Sequence, residues 1–332
     1  MSIPGKLNGL KLAIPLLLLS VSLTRATPPP GPDIRVTVAA DGTGDFKTVQ
    51  MAVDHGLDRG PLAPQGRLII QIRPGTYHER VKIPPDRPRL TLLGTDPSNT
   101  IITFNAGAKD VGGTFFSSTV EVEAPEFEAA NITFENSYGT GTQAVAITTH
   151  SDRALFQHCR FIGWQDTLYA ATGRQYFRDC YIEGHVDFIF GNAAAVFENC
   201  EIHSRGAGYV TAQSRLIPDG PTGYVFIHCK LTGENIGAKV FLGRPWRDYS
   251  RVVFIDCFLG PHIRPEGWSD WNNTGRSKTA WYGEYNSTGP GAQPSGRVKW
   301  AHQLTEAEAA QFKPDVFLRG NDNWQPEKIS VN

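Results

Sequence analysis

The chain has 332 residues, enough for a substantial core, and a formal net charge of −1. No basic block interrupts it, which argues against a nucleic-acid partner. Its 34 glycines and 23 prolines suit many short strands and turns rather than long helices.

Residues 1–26 have the form of an export leader. Lys6 and Lys11 supply a positive start, Ala13 to Leu23 is apolar, and Thr24-Arg25-Ala26 offers a cleavage site after Ala26. The apolar run is short for a membrane span. A secreted or periplasmic protein, free of the membrane after cleavage and acting as a monomer, is therefore expected. Residues 27–33 are a Pro-rich leader, and 34–332 carry no compositional break, so they are expected to form one domain.

Within that domain IRVTVAADGTG reads as a strand and a turn. GDFKTVQMAVDHG places Phe46, Val49, Ala52 and Val53 at helical spacing, with Asp45 as the expected N-cap. A short helix there would cover the open end of a solenoid. RLIIQIRPGTYHERVKI, LTLLGTDPSNTIITF and STVEVEAPEFEAANITFEN read as strand–turn–strand runs. The run LTEAEAAQF, residues 304–312, is expected to be a closing helix.

The central part is repetitive. FQHCRF, FRDCYI, FENCEI, FIHCKL and FIDCFL place Cys159, Cys180, Cys200, Cys229 and Cys257 at steps of 21, 20, 29 and 28 residues. A period in the low twenties with insertions is a solenoid signal. Each unit is rich in short β runs, so the expected fold is all-β, a parallel β-helix with short capping helices. The cysteines would then form a ladder with Cα atoms about 5 Å apart, inside disulfide range. Adjacent pairing, Cys180–Cys200 first, competes with five small buried apolar rungs. CxxC pairs and His clusters are absent, so no metal site is expected.

Asp166 and Asp187 each lie seven residues after a repeat cysteine. On adjacent coils they would stack one strand spacing apart, about 4.7–4.9 Å. Like charges that close do not both ionise freely, so one pKa rises, and the pair supplies one acid and one base or nucleophile. Two solvated turn aspartates are the competing reading. No GxSxG, HExxH or P-loop pattern occurs, and His158 and His185 read as turn or edge residues. Gln165 and Gln143 carry side-chain amides able to donate to an oxyanion. Arg244 suits holding one aspartate ionised. Trp246, Phe190 and Tyr169 offer flat faces of the kind that stack on sugar rings, with core packing as their alternative role. Taken alone, the carboxylate pair equally suits a glycosidase, and a solenoid of this kind also suits a polysaccharide lyase or a non-catalytic carbohydrate-binding module.

DGTGDFKTVQ, GTYHE, QAVAI, GWQDTL, HVDFIFG, LGRPW and YGEYNSTGPGA resemble, in order, the serial motifs of the pectinesterase (pectin methylesterase) family between about Val36 and Trp300. The resemblance implies a right-handed parallel β-helix and hydrolysis of the C6 methyl esters of pectin, with no cofactor. It implies Asp187 as nucleophile, Asp166 as general acid/base, and Gln165 and Gln143 as stabilisers of the tetrahedral intermediate. Arg244 would fix the nucleophile, and Trp246 and Thr114 would bind substrate. The catalytic motifs show no departure from the family pattern. The segment between Cys200 and Arg244 is where relatives vary most.

Overall fold

The computed structural model describes residues 32–326, together with Met1, Ser2 and Gly5. Nearly all of the expected leader 1–26 and most of 27–33 lie outside the described residues. Every strand ladder is parallel, and the chain winds as a right-handed parallel β-helix with three faces. Eleven strands, from Ile34–Val38 through Ala154–Gln157, Arg174–Arg178 and Ala194–Glu198 to His302–Gln303, stack as the first face. The second and third faces count as one sheet, because Tyr181–Gly191 and Glu201–Gln213 run round the corner between them.

The repeat phenylalanines explain why the coils stay in register. Phe156, Phe177, Phe197, Phe226 and Phe254 pair directly along the first face. Their rings stack inside the helix at 4.7, 4.6, 4.6 and 4.4 Å, within 12° of parallel. The column ends on Trp268, which packs on Tyr282. A one-residue slip would turn every ring out of the core, so the column also fixes the register.

The residue before each cysteine makes the corner. His158, Asp179, Asn199, His228 and Asp256 have φ between 50° and 55°. Asn, Asp and His are the non-glycine residues that tolerate this left-handed conformation best. The corner amides continue the ladder, as His158 N donates to Arg178 O and Asp179 N to Glu198 O.

The cysteines form the expected ladder, but no disulfide; all five are free and buried, so the Cys180–Cys200 pairing is not made. Stacked side chains in successive coils point the same way instead of converging, as a disulfide requires. Each sulfur instead donates to a carbonyl of the coil before, Cys180 to Phe156 O and Cys200 to Phe177 O. Burial pushes the Cys180 and Cys200 thiols well above their ordinary pKa, which makes them poor nucleophiles.

The ends differ from the sequence expectation in detail. The first helix is Val49–His55, with Val49, Ala52 and Val53 buried against the open end, and its N-cap is Thr48. Asp45 is drawn away by Thr37 N and Arg59, while the Glu79 carboxylate accepts from the Val49 and Gln50 amides at the helix start. The segment expected as a closing helix is a short helix, Glu306–Ala309, followed by a 3-10 turn, Ala310–Phe312. It lies on the outside of the first face, where Ala309 and Phe312 cover Val225, Val253 and neighbours, instead of closing the end. Thr305 and Glu308 form its capping box.

Two outcomes are expected from this packing. Phe197→Ala should cost about 3–5 kcal/mol, read as a lower denaturant midpoint. Dithiothreitol should leave the melting temperature unchanged, and a thiol reagent should count five cysteines only after unfolding.

Candidate active site

The corner between the second and third faces places the two aspartates. On the third face Leu168 pairs with Ile189 and Tyr169 with Phe190. Continuing that register one step past Thr167 and Phe188 sets Asp166 beside Asp187, and Asp166 N donates to Val186 O at 3.1 Å. Both aspartates are left-handed, with φ of 64° and 51°, so each carboxyl leaves its coil in the same direction. They are 9% and 7% exposed, which excludes the reading as solvated turn residues.

Their partners are unequal. Arg244 grips Asp187 with both edges of its fork, Nε to Oδ1 at 2.9 Å and Nη2 to Oδ2 at 2.6 Å. Its backbone N donates to Thr211 O. Gly243 allows this close approach; a Cβ there would meet Thr211 Oγ1 at 2.0 Å. The Asp166 side chain makes no hydrogen bond among the described residues. Burial raises the pKa of both carboxyls. For Asp166 the rise is large, because the neighbouring Asp187 charge adds to burial and Arg244 opposes it only at a distance. For Asp187 the Arg244 hydrogen bonds and charge work against burial. Desolvation, ahead of the charge repulsion read from spacing, is therefore the larger cause of the rise at Asp166, and the Arg244 contact, made to Asp187 alone, sets the two apart.

Thr114, Gln143, Gln165, Phe190 and Trp246 line one open groove with the aspartates and Arg244. Gln143 and Gln165 reach it from adjacent coils, tied by Ala144 N to Gln165 O at 3.1 Å. Thr114 opens a 3-10 turn, Thr114–Phe116, pinned by Arg80 to Phe116 O. Phe190 lines the groove but is only 3% exposed. Its ring stacks on Tyr169 at 4.5 Å and meets Trp246 at 6.0 Å. Tyr169 stands beside the groove, in contact with Phe115 at 5.2 Å. His158 is a corner residue, and His185 packs edge-on against Trp164; neither lines the groove.

Three groove or near-groove residues were not singled out from sequence. Phe115 and Trp271 line the wall, and Tyr209 packs on Arg244. The adjacent aromatics Phe115 and Phe116 and the tryptophans Trp268 and Trp271 are the available signals; Tyr209, inside the strand Glu201–Gln213, carries none. Among the described residues, no group of three His, Cys, Asp or Glu side chains is arranged to hold a metal, and no helix is long and apolar enough to cross a membrane.

The pectinesterase family profile matches residues 35–321. The chain is 43% identical over 294 residues to Pectinesterase 31 of Arabidopsis thaliana, covering 85% of this chain and 92% of that one. Its fold matches the pectin methylesterase from carrot with a TM-score of 0.81 at 38% identity, over 88% of this chain and 94% of the other. It matches pectin methylesterase PemA from Erwinia chrysanthemi with a TM-score of 0.74 at 30% identity, over 88% and 98%. The profile match along most of the chain and the 43% identity to a pectinesterase place the chain in the pectinesterase family, as a carboxylic ester hydrolase.

Proposed function

We propose that the enzyme removes the C6 methyl esters of galacturonate residues in pectin through a covalent aspartyl intermediate. The observation that carries this reading is the unequal pair: Asp187 is bound at both oxygens by Arg244, and the buried Asp166 side chain makes no hydrogen bond among the described residues. A carboxylate held ionised is a nucleophile, and a carboxyl kept protonated beside it is an acid.

In this scheme an Asp187 oxygen attacks the ester carbonyl. The Gln143 and Gln165 amides donate to the oxygen that gains charge. As the tetrahedral species collapses, the C–O bond to methoxide breaks and Asp166 gives its proton to that oxygen, releasing methanol. Asp166, now ionised, takes a proton from water as the water attacks the acyl carbon. The bond to Asp187 breaks, Asp187 leaves as a carboxylate again, and the galacturonic acid set free gives its proton to solvent to become a carboxylate. Trp246, Thr114 and the exposed Phe115 ring flank the pair on the groove wall and suit the faces of neighbouring sugars. The leader 1–26 belongs to the same proposal, since pectin lies outside the cell; N-terminal sequencing of secreted protein should find cleavage near Ala26.

The test is methanol release from highly methylated pectin, measured together with viscosity. Methanol should appear while viscosity holds; chain cleavage without methanol would overturn the reading. Asp187→Ala should abolish turnover. Asp166→Asn should lose about 10²–10⁴-fold, the range for general acid–base catalysis. Arg244→Ala should let the Asp187 pKa climb further, moving the acid limb of kcat/KM to higher pH.

Asp166 should also trade stability for activity. Its folded pKa lies well above 3.8, so the folded state holds a proton that the unfolded state releases as pH rises. Stability is then full below the unfolded pKa and is lost as pH rises toward the folded one. Asp166→Asn should therefore melt at a higher temperature than the parent at pH 7. That gain should fade as pH falls to 3.8 and below, which thermal melts across pH will check.

A further inference from the structure

Arg244 is held by more than Asp187. Its guanidinium carbon lies 3.9 Å from the centre of the Tyr209 ring and 3.9 Å from that of Trp271. The cation sits between the two rings, with its Nε–Nη2 edge free to meet the carboxylate. Tyr209 is itself fixed, stacked on Phe241 of the next coil at 5.4 Å and 9°. Arg264 in turn covers Phe241 at 4.7 Å.

Trp271 is brought in at a conformational cost. Its φ is 40°, and Asn272 and Asn273 follow at 60° and 62°. A bulky residue at positive φ is an outlier, and such strain persists only where the surroundings over-determine it. Here they do. The Asp270 carboxylate accepts from Ser277 N at 2.9 Å and Ser277 Oγ at 2.8 Å. Arg276 reaches back to Pro245 O at 3.2 Å, one residue after Arg244. The turn is thus tied to the loop whose cation it covers.

From this geometry we infer that Tyr209 and Trp271 are positioning residues, which clamp the Arg244 guanidinium so that its fork stays on Asp187. An arginine on a flexible stem makes a two-point bond well only if its plane is held. Ring faces hold it without competing for its N–H groups, and their negative quadrupoles offset the charge. The inference rests on the role proposed for Asp187. The other titratable and charged groups around the pair are Asp166 on the preceding coil, His185 on the Asp187 strand, Tyr282 inside the helix, and Arg276 beyond Trp271. Replacing Tyr209 changes none of them.

The test is the acid limb of kcat/KM for methanol release, which reports the free enzyme's ionisations. Tyr209→Leu and Trp271→Leu should each move that limb upward by about half to one pH unit, because a loosened guanidinium leaves Asp187 easier to protonate. Tyr209→Phe keeps the ring and should restore the parent profile. Trp271→Leu also alters the groove wall, so its KM should rise as well; the Tyr209 variants should leave KM near the parent value. An unmoved limb in a folded Tyr209→Leu or Trp271→Leu protein would overturn the inference, as would a Tyr209→Phe profile shifted as far as that of Tyr209→Leu. If Tyr209→Leu does not fold by circular dichroism, Trp271→Leu decides the matter on its own. Activity surviving in Asp187→Ala would instead overturn the catalytic scheme beneath it.

Discussion

The site depends on one constraint, the fixed spacing of parallel coils. Strand pairing sets neighbouring coils about 4.7–4.9 Å apart, and the phenylalanine column inside the first face keeps each coil from slipping. Any residue at a given place in one repeat therefore faces its counterpart in the next. For most positions the result is a ladder of like apolar groups. For Asp166 and Asp187 it is two carboxyls brought together in a buried corner, where neither can escape the other.

Proximity alone would leave the two acids equivalent. The difference comes from what reaches them across the groove. Asp187 receives a guanidinium from the loop after Gly243, and Asp166 receives no hydrogen bond among the described residues. Burial then acts in opposite senses on function. It makes the proton on Asp166 hard to lose, and it strengthens the Arg244 contact that stabilises charge on Asp187. The aromatic rings on either side of Arg244 extend the same logic one shell outward. Part of the rigidity of the pair comes from the solenoid and part from the left-handed turn at Trp271–Asn273.

Much of this was legible in the sequence, because repetition makes three-dimensional neighbours visible as spacings. The F-x-x-C rungs, the cysteine ladder and the stacked aspartates all follow from the period. What the period does not encode was harder to read. The free cysteines depend on side-chain direction, which spacing ignores. Thr48 displaced Asp45 as helix cap because Asp45 is drawn to Thr37 N and Arg59, far from the helix start. The segment around Glu306 carries a helix pattern but no sign of which surface it covers. Tyr209 and Trp271 meet Arg244 through irregular corners and a strained turn, so no repeat offset links them. The dominance of burial over repulsion at Asp166 needed the depth of the groove, which only the folded chain provides.

The central claim is that the shared proton sits on Asp166 while Asp187 carries the charge. Carboxyl carbon-13 NMR of the aspartates, followed through a pH titration of the unliganded enzyme, reads this directly. Because the two groups are coupled, the site-specific shifts matter more than the macroscopic midpoints. The account predicts that at mildly acidic to neutral pH the Asp187 carbon has the shift of a carboxylate and the Asp166 carbon that of a carboxylic acid. A protonated Asp187 beside an ionised Asp166 would contradict it.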